Sequence, residues 1–349
     1  MRLPTSLRGI GNSPGDDASH FRALFVAAVL FTTALLSAHY LFLGGRTRWP
    51  IDFQVFWTAG GRPLHEVYEA SQMPFVYPPT ALFLFKPFSL LPFLPGYFVW
   101  TAISAILFGF AVAKTCGTKV AALSFLSPAA NRGIMWGQSA MLLGGALFAS
   151  LRLPPFAMGA VFGLVAAVKP QLVMLAPLAF LIRSDWRSLA GMATGGIVAV
   201  LASLIAFGPT LWLDWIRALP QFQDVLLRDK VLSMAISPAG RAEHLGLPVL
   251  PVLLASAAVG LTAVVALAKQ VEGEMLIGLI VAASIAASPY AHIHDMLALI
   301  PACLVLLHRG NWPMAISAAF IIAGTAAWAP VALLAGLLIA AIWCRKRKQ

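Results

Sequence analysis

Long apolar runs, separated by short polar or Pro- and Gly-containing connections, repeat along almost the whole chain. The runs approach the roughly 20 residues that a helix needs to cross a bilayer, and they lack the alternating pattern of a membrane β-barrel. The pattern therefore predicts an all-α polytopic membrane protein with about 12 transmembrane helices, in a range of about 10 to 13 because several runs are short. The predicted spans lie near residues 21–44, 94–113, 119–134, 138–151, 156–169, 171–183, 189–207, 248–268, 274–288, 293–308, 312–327 and 329–344.

Composition and charge support a membrane protein and set its orientation. Hydrophobic residues make up 60% of the chain and charged residues 11%, against about 25% charged in soluble proteins. The net charge of +11 comes from Lys and Arg scattered between apolar runs, so nucleic acid is not a predicted partner. With the N-terminus inside, 14 of the 24 basic residues are cytoplasmic. We expect a multi-pass protein of the cell inner (plasma) membrane, with cytoplasmic tails at 1–20 and 345–349 and one membrane domain at 21–344.

Two long extracytoplasmic segments, 45–93 and 208–247, interrupt the apolar pattern, and functional residues are expected in such loops. The first segment contains a short apolar stretch, 80–91, that prolines break, so juxtamembrane, interfacial or re-entrant helices are predicted there. The second segment carries Trp212 and Trp215, which are typical of an amphipathic helix at the level of the lipid headgroups.

Asp52 lies just past the first predicted span, next to the aromatic residues Phe53, Phe56 and Trp57. A carboxylate in such a partly apolar environment can act as a general base, because partial desolvation raises its basicity. The alternative is that Asp52 only caps a helix that begins at Phe53.

Tyr77 and Lys169 are two further candidates at the edges of apolar sequence. Tyr77 begins a Tyr-Pro-Pro motif whose prolines force a stiff turn into the short helix that follows. Lys169 lies within or at the outer end of an apolar run, where a charge is costly and often functional. A phosphate would satisfy this cation, although a lysine that extends to the membrane surface would show the same pattern.

The segment SPYAHIHD, residues 288–295, concentrates titratable groups in an extracytoplasmic turn. His292, His294 and Asp295 could form part of a metal site, but no further ligands are evident. A histidine that binds phosphate or orients a substrate fits better, because imidazole donates to oxyanions and titrates near neutral pH. Asp295 could also serve only as the cap of the following helix.

The excess of cations in the outer loops also needs a partner. Arg62 belongs to a group of outer basic residues that runs against the usual distribution of positive charge. An anionic lipid phosphate would account for them, and so would membrane headgroups in general. The chain has no GxxxxGK[ST] motif and no soluble nucleotide-binding domain, which disfavours ATP and nucleotide sugars as substrates.

Several short segments, in a fixed order relative to the predicted spans, carry a resemblance to a known family. They are IDFQVFWTAG, VYEASQMPFVYPPTALFLFKPFSLLP, WGQSAMLLGGAL, GLVAAVKPQLVMLAPLAFL and SPYAHIHDMLALIPA. In these segments the chain resembles glycosyltransferase family 87, the polyprenyl-phosphate-mannose-dependent α-mannosyltransferases of the GT-C superfamily.

The resemblance implies an active site at the extracytoplasmic face, a lipid-linked sugar donor and inversion at the anomeric carbon. Asp52 matches the family's acidic residue in the first loop and takes the role of general base, and the family's histidine corresponds to His292 or His294. Gln138 and Lys169 match positions expected around the site and are predicted to bind the donor phosphate or the substrate. Substrate binding by Tyr77, Trp57, Arg62 and Asp295 completes the predicted site, with the donor phosphate as the partner of Lys169.

The chemistry of such a transfer needs few groups. A polyprenyl phosphate is already an activated leaving group, so one carboxylate and a few cations suffice. We therefore expect no metal and no cofactor, and the expected partners are a polyprenyl-phosphate sugar donor, a glycolipid or glycan acceptor and membrane lipids. Two alternatives stay open: a polytopic transporter or lipid flippase without transferase activity, and a non-catalytic assembly partner descended from a transferase.

Overall fold

The computed structural model describes residues 51–69, 74–228, 231–308, 312–323 and 329–346. Over these ranges every extended regular element is a helix, and the β pairing consists of an isolated bridge between Ala235 and His292. The predicted all-α class is confirmed for this part of the chain. The predicted first span, 21–44, and the predicted tail at 1–20 lie outside the described residues.

The helices are numbered here in chain order over the described residues. The first eight are α1 (Ile51–Gly61), α2 (Leu82–Ser89), α3 (Phe93–Cys116), α4 (Thr118–Phe125), α5 (Pro128–Trp136), α6 (Ala140–Ser150), α7 (Pro155–Val168) and α8 (Ala176–Ile182). The others are α9 (Trp186–Phe207), α10 (Pro209–Arg228), α11 (Pro238–His244), α12 (Val249–Leu267), α13 (Glu274–Ala286), α14 (Ile300–His308), α15 (Trp312–Ala323) and α16 (Ala329–Lys346). Short 3-10 turns lie at Leu64–Glu66, Pro79–Ala81, Pro170–Leu172, Val231–Met234 and Ile293–Ala298.

Among the described helices, α3, α9 and α12 are long and apolar enough to cross a membrane. Shorter apolar segments accompany them at Ala140–Ser150, Pro155–Val168, Pro170–Ile182, Glu274–Ala286 and Ala329–Ile342. These elements make the chain a helical membrane protein. The total of about 12 spans stays a prediction.

The predicted span at 119–134 is two short helices, α4 and α5, rather than one. Ser127 lies between them with an extended backbone, and its hydroxyl accepts a hydrogen bond from the backbone N–H of Ala130 at 3.2 Å. Pro128 occupies the first helical position of α5. A serine cap followed by proline starts a new helix, because proline cannot continue the hydrogen bonding of the preceding one.

Glycines bring α7 and α9 into close contact. Gly159 and Gly163 on α7 face the backbone of α9, and Gly191 and Gly195 on α9 face the backbone of α7. A Cβ atom at any of these positions would overlap with a carbonyl oxygen of the opposite helix. Small residues spaced four apart allow such packing in membranes, where there is no hydrophobic force between helices. Since α7 ends immediately before Lys169, this packing fixes the place where Lys169 leaves the helix.

The first outer segment forms a layer of aromatic side chains around α1 and α2. Phe56 stacks on Phe85 with ring centroids 4.0 Å apart, and Phe85 lies 5.2 Å from Trp100 on α3. All three side chains are at most 2% exposed. The stretch predicted to form a juxtamembrane helix, 80–91, is the Pro79–Ala81 turn followed by α2. This packing holds α1, which carries Asp52 in its first turn.

The second outer segment contains the predicted amphipathic helix, which is α10. Its inner face buries Leu211, Ala218 and Phe222, while Leu213 and Ile216 are about half exposed on the outer side. The indole N–H of Trp215 donates to the carbonyl oxygen of Val76 at 3.2 Å. The two outer segments are therefore joined at the residue that precedes the Tyr-Pro-Pro turn.

Candidate active site

Lys169 and Asp295 form a buried ion pair. Lys169 Nζ lies 2.5 Å from Asp295 Oδ1, and the two side chains are 5% and 1% exposed. The alternative that Lys169 extends to the membrane surface is therefore not what the structure shows. Two opposite charges at this depth need each other, because either one alone would be buried without compensation.

Asp295 uses its second oxygen to hold its own turn. Oδ2 accepts a hydrogen bond from the backbone N–H of His292 at 3.0 Å, so Asp295 caps the Ile293–Ala298 turn from its third position. His294 Nε2 lies 3.7 Å from Asp295 Oδ1. The carboxylate therefore joins the lysine and the His-Ile-His segment in one group.

The two histidine rings stack on each other and on neighbouring aromatic side chains. The ring centroids of His292 and His294 are 5.1 Å apart with an interplanar angle of 14°. The ring centroid of Trp136 lies 6.1 Å from that of His292 and 6.2 Å from that of His294. The ring centroids of Tyr290 and His292 are 5.3 Å apart. These contacts fix the direction of both imidazoles, which are 3% and 4% exposed.

The second outer segment holds the histidine turn in place. The backbone N–H of Ile236 donates to the carbonyl oxygen of Ala291 at 2.9 Å, and Ala235 forms the isolated bridge with His292. The hydroxyl of Ser237 accepts from the backbone N–H of Ala291 at 3.2 Å. The histidine position therefore depends on residues more than 50 positions away in the chain.

Asp52 reaches the same cluster through Gln138. The Asp52 carboxylate forms a side-chain hydrogen bond with Gln138. The Tyr77 hydroxyl donates to Gln138 Oε1 at 3.2 Å and lies 3.2 Å from the hydroxyl of Ser139. Lys169 Nζ lies 5.8 Å from the centroid of the Tyr77 ring. Tyr77 thus stands between the Asp52 side and the Lys169 side of the site.

Gly137 determines how closely Gln138 approaches Asp52. Its φ of +69° is the left-handed conformation that favours glycine, and a Cβ there would lie 2.5 Å from Cβ of Phe53. The indole N–H of Trp100 donates to the carbonyl oxygen of Gly137 at 2.9 Å, and the hydroxyl of Tyr97 donates to that of Ile134 at 2.7 Å. The end of α5 is therefore anchored from α3.

The environment of Asp52 suits a proton acceptor. Burial raises the pKa of Asp52 from 3.8 to about 6, although the hydrogen bond with Gln138 and the charge of Lys169 lower it. The charge of Asp295 raises it further. The side chain is half-buried, so it is still accessible to a ligand. Asp52 also lies inside α1 and does not act as the cap of a helix that begins at Phe53.

Two of the predicted site residues do not join this cluster. The indole N–H of Trp57 donates to the carbonyl oxygen of Leu91 at 2.9 Å, which ties α1 to the end of the following segment. Arg62 donates from Nη1 to the carbonyl oxygen of Glu66 at 3.3 Å and stabilises a local turn. Both side chains hold the first outer segment together at a distance from the ion pair.

Sequence reasoning did not single out three other side chains that line the cluster: Trp136, Ser139 and Tyr290. All three lie within segments that carry the family resemblance, adjacent to or two residues from a predicted site residue. The aromatic residue directly before Gly-Gln was the available signal for Trp136. Over the described residues, no group of three or more His, Cys, Asp or Glu side chains is arranged to bind a metal ion.

The chain belongs to glycosyltransferase family 87. The sequence model of that family, described as Glycosyltransferase family 87, matches residues 75–289, which is more than half of the chain. Searches of curated proteins and of solved structures gave no match. The predicted family is therefore confirmed, and the protein is a membrane glycosyltransferase. Tyr77, Gln138 and Lys169 lie within the matched residues, whereas Asp52 and the 292–295 turn lie outside them.

Proposed function

We propose that this glycosyltransferase transfers mannose, with inversion, from a polyprenyl-phosphate donor to an acceptor hydroxyl outside the cell inner membrane, on a fold of the GT-C type. The observation that carries the proposal is the meeting of a half-buried carboxylate, Asp52, with a buried cation, Lys169, across Gln138 and Tyr77. One group is suited to take a proton and the other to face a phosphate.

The first step of the reaction is activation of the acceptor. Asp52 accepts the proton of an acceptor hydroxyl while the acceptor oxygen forms a bond to the anomeric carbon of the sugar. A pKa of about 6 leaves most of the carboxylate ionised at neutral pH and keeps it more basic than an exposed aspartate. The proton ends on Asp52, from which it returns to solvent.

The second requirement is a place for the leaving group. The bond between the anomeric carbon and the phosphate oxygen breaks, and its electron pair goes to the phosphate. Lys169 is the buried cation of the cluster, and its ammonium can donate to a phosphate oxygen without changing its own charge. Asp295 holds Lys169 in place before the donor binds.

The stacked histidines provide the third set of contacts. His292 and His294 lie beside the Lys169–Asp295 pair and against Trp136. Imidazole N–H groups donate to oxyanions and hydroxyls. We assign them to orientation of the donor phosphate or sugar. The proposed reaction uses no metal ion or cofactor. The acceptor is a glycolipid or glycan that reaches this outer face.

The test is transfer of radiolabelled mannose from polyprenyl-phosphate-mannose into a lipid extract, catalysed by the purified full-length protein in detergent. The proposal expects a labelled product whose new linkage has the anomeric configuration opposite to that of the donor. A product with retained configuration would contradict the inverting mechanism. If neither this donor nor a panel of other polyprenyl-phosphate sugars gives product, the donor assignment is wrong, and lipid movement across proteoliposomes would then test the flippase alternative.

A further inference from the structure

Both ends of the Gln138 amide are engaged. The side chain is 7% exposed, its Oε1 accepts from the Tyr77 hydroxyl at 3.2 Å, and it forms a hydrogen bond with the Asp52 carboxylate. A carboxylate can only accept, so the amide N–H group must face Asp52. The Tyr77 hydroxyl therefore selects the orientation of the amide that presents a donor to Asp52.

Tyr77 has little freedom to move. Its side chain is 8% exposed, and its ring lies 5.2 Å from Phe56 and 5.8 Å from both Phe75 and Phe85. The hydroxyl of Tyr68 donates to the backbone carbonyl of Tyr77 at 2.7 Å. A ring packed on three sides, on a backbone held by its own hydrogen bond, keeps the Tyr77 hydroxyl at one place.

The backbone of Gln138 is equally constrained. Its N–H donates to the carbonyl oxygen of Gly133 at 2.8 Å, and the preceding residue, Gly137, is held by Trp100. The amide is thus fixed by its backbone, by Tyr77 and by Asp52. The amide oxygen and one of the two amide N–H groups are therefore engaged, so the side chain holds one orientation toward Asp52.

We propose that Gln138 and Tyr77 are positioning residues that hold the Asp52 carboxylate for proton transfer. This inference rests on the proposed function, in which Asp52 is the general base. It gives Gln138 a role toward Asp52 in addition to the substrate-binding role that the sequence predicted.

The contact between Gln138 and Asp52 also influences the pH at which Asp52 titrates. Among the described residues, Asp52 interacts electrostatically with Lys169, Asp295, Tyr77 and Tyr290. Loss of the hydrogen bond from Gln138 removes a contact that favours the ionised carboxylate. The protonation midpoint of Asp52 should therefore move to higher pH, by about one unit for one hydrogen bond to a charged group.

The test compares Gln138→Met and Tyr77→Phe with the wild type. Both variants should lower kcat about tenfold, leave the KM for polyprenyl-phosphate-mannose within about twofold, and shift the acid limb of the pH profile upward by about one unit. The double variant should be no slower than the slower single variant, because both changes act through one contact. Ser150→Ala is the control, since it deletes one buried hydroxyl whose hydrogen bond, to the carbonyl oxygen of Leu147, stays within α6.

A second readout needs no turnover. Difference infrared titration of the purified protein, with Asp52→Asn as the reference, gives the protonation midpoint of Asp52 directly. The midpoint should rise in Gln138→Met and Tyr77→Phe and stay unchanged in Ser150→Ala. An unchanged midpoint in both variants would overturn the inference, and so would a raised donor KM with an unshifted pH profile. An inactive wild type would instead contradict the proposed function, while the titration would still decide the inference.

Discussion

The buried Lys169–Asp295 pair gives the sharpest prediction about stability. Asp295→Asn keeps an oxygen that can accept from the backbone N–H of His292, so the change removes the charge and little else. It leaves the Lys169 ammonium, 5% exposed, without its partner at 2.5 Å. The expected effect is a large loss of stability from a substitution that preserves shape.

The magnitude follows from the burial of both groups. At 2.5 Å and an effective dielectric constant of about 20, the attraction is on the order of 6 kcal/mol, but desolvation of the two charges offsets most of it. Removal of one partner is therefore worse than removal of both, and costs about 3–5 kcal/mol. The double variant Lys169→Met/Asp295→Asn should recover at least about 2 kcal/mol of that loss.

The assay is the free energy of unfolding of each purified variant, measured in one detergent at one pH. An exposed ion pair serves as a control: Asp214→Asn breaks the 3.2 Å contact with Arg217, whose side chain is 72% exposed, and should cost about 0–1 kcal/mol. If Asp295→Asn is as stable as the wild type, or if the separately measured effects of Asp295→Asn and Lys169→Met simply add in the double variant, the reasoning about a coupled buried pair is refuted. The stable double variant should still fail to bind the donor.

Three further predictions concern the base and its supports. Because the pKa of Asp52 is about 6 and the ionised form is the active one, kcat/KM should fall as the pH drops below about 6; a flat profile from pH 5 to 8 would contradict this. Gly137→Ala should lose activity and stability, since φ is +69° and the new Cβ would meet Phe53, whereas Gly117→Ala, with φ +95° and open space around its Cβ, should lose only stability. Trp57→Phe should keep the donor KM of the wild type and lower the melting temperature, and a strongly raised KM would place Trp57 in the site after all.

The sequence singled out several polar residues of the cluster, but it did not predict how they are arranged. Asp52, Lys169 and the 288–295 segment each stood out as polar groups at the ends of apolar runs, where charge is costly. Nothing in their spacing showed that Lys169 pairs with Asp295, because that contact depends on how α7, α9 and the outer segments pack. The link through Gln138 and Tyr77 likewise joins residues 61 positions apart.

The two residues that stay outside the cluster have a geometric explanation. Trp57 follows Asp52 by five helical positions, which places it about 140° around α1 and on another face. Arg62 comes after the end of α1, so it lies about 15 Å along the axis from Asp52. Aromatic and basic composition singled out the segment but did not distinguish the faces of α1.

The predicted 119–134 span is divided because of a local signal that hydropathy does not register. Hydropathy predicts one helix there, whereas the Ser127-Pro128 pair within the span is a start signal for a second helix. The helix that starts there, α5, ends at Trp136, and the left-handed Gly137 then turns the chain to present Gln138.

The central claim is that Asp52 is the general base of mannosyl transfer from a polyprenyl-phosphate donor. The most direct measurement is the initial rate of labelled-mannose transfer by Asp52→Asn, with wild type and Asp214→Asn measured alongside under saturating donor. The account predicts that Asp52→Asn loses at least about 100-fold in kcat, as expected for loss of a general base, while it still binds the donor and Asp214→Asn stays at the wild-type rate. Transfer by Asp52→Asn at the wild-type rate would contradict the account, since no proton acceptor would then be required at this position.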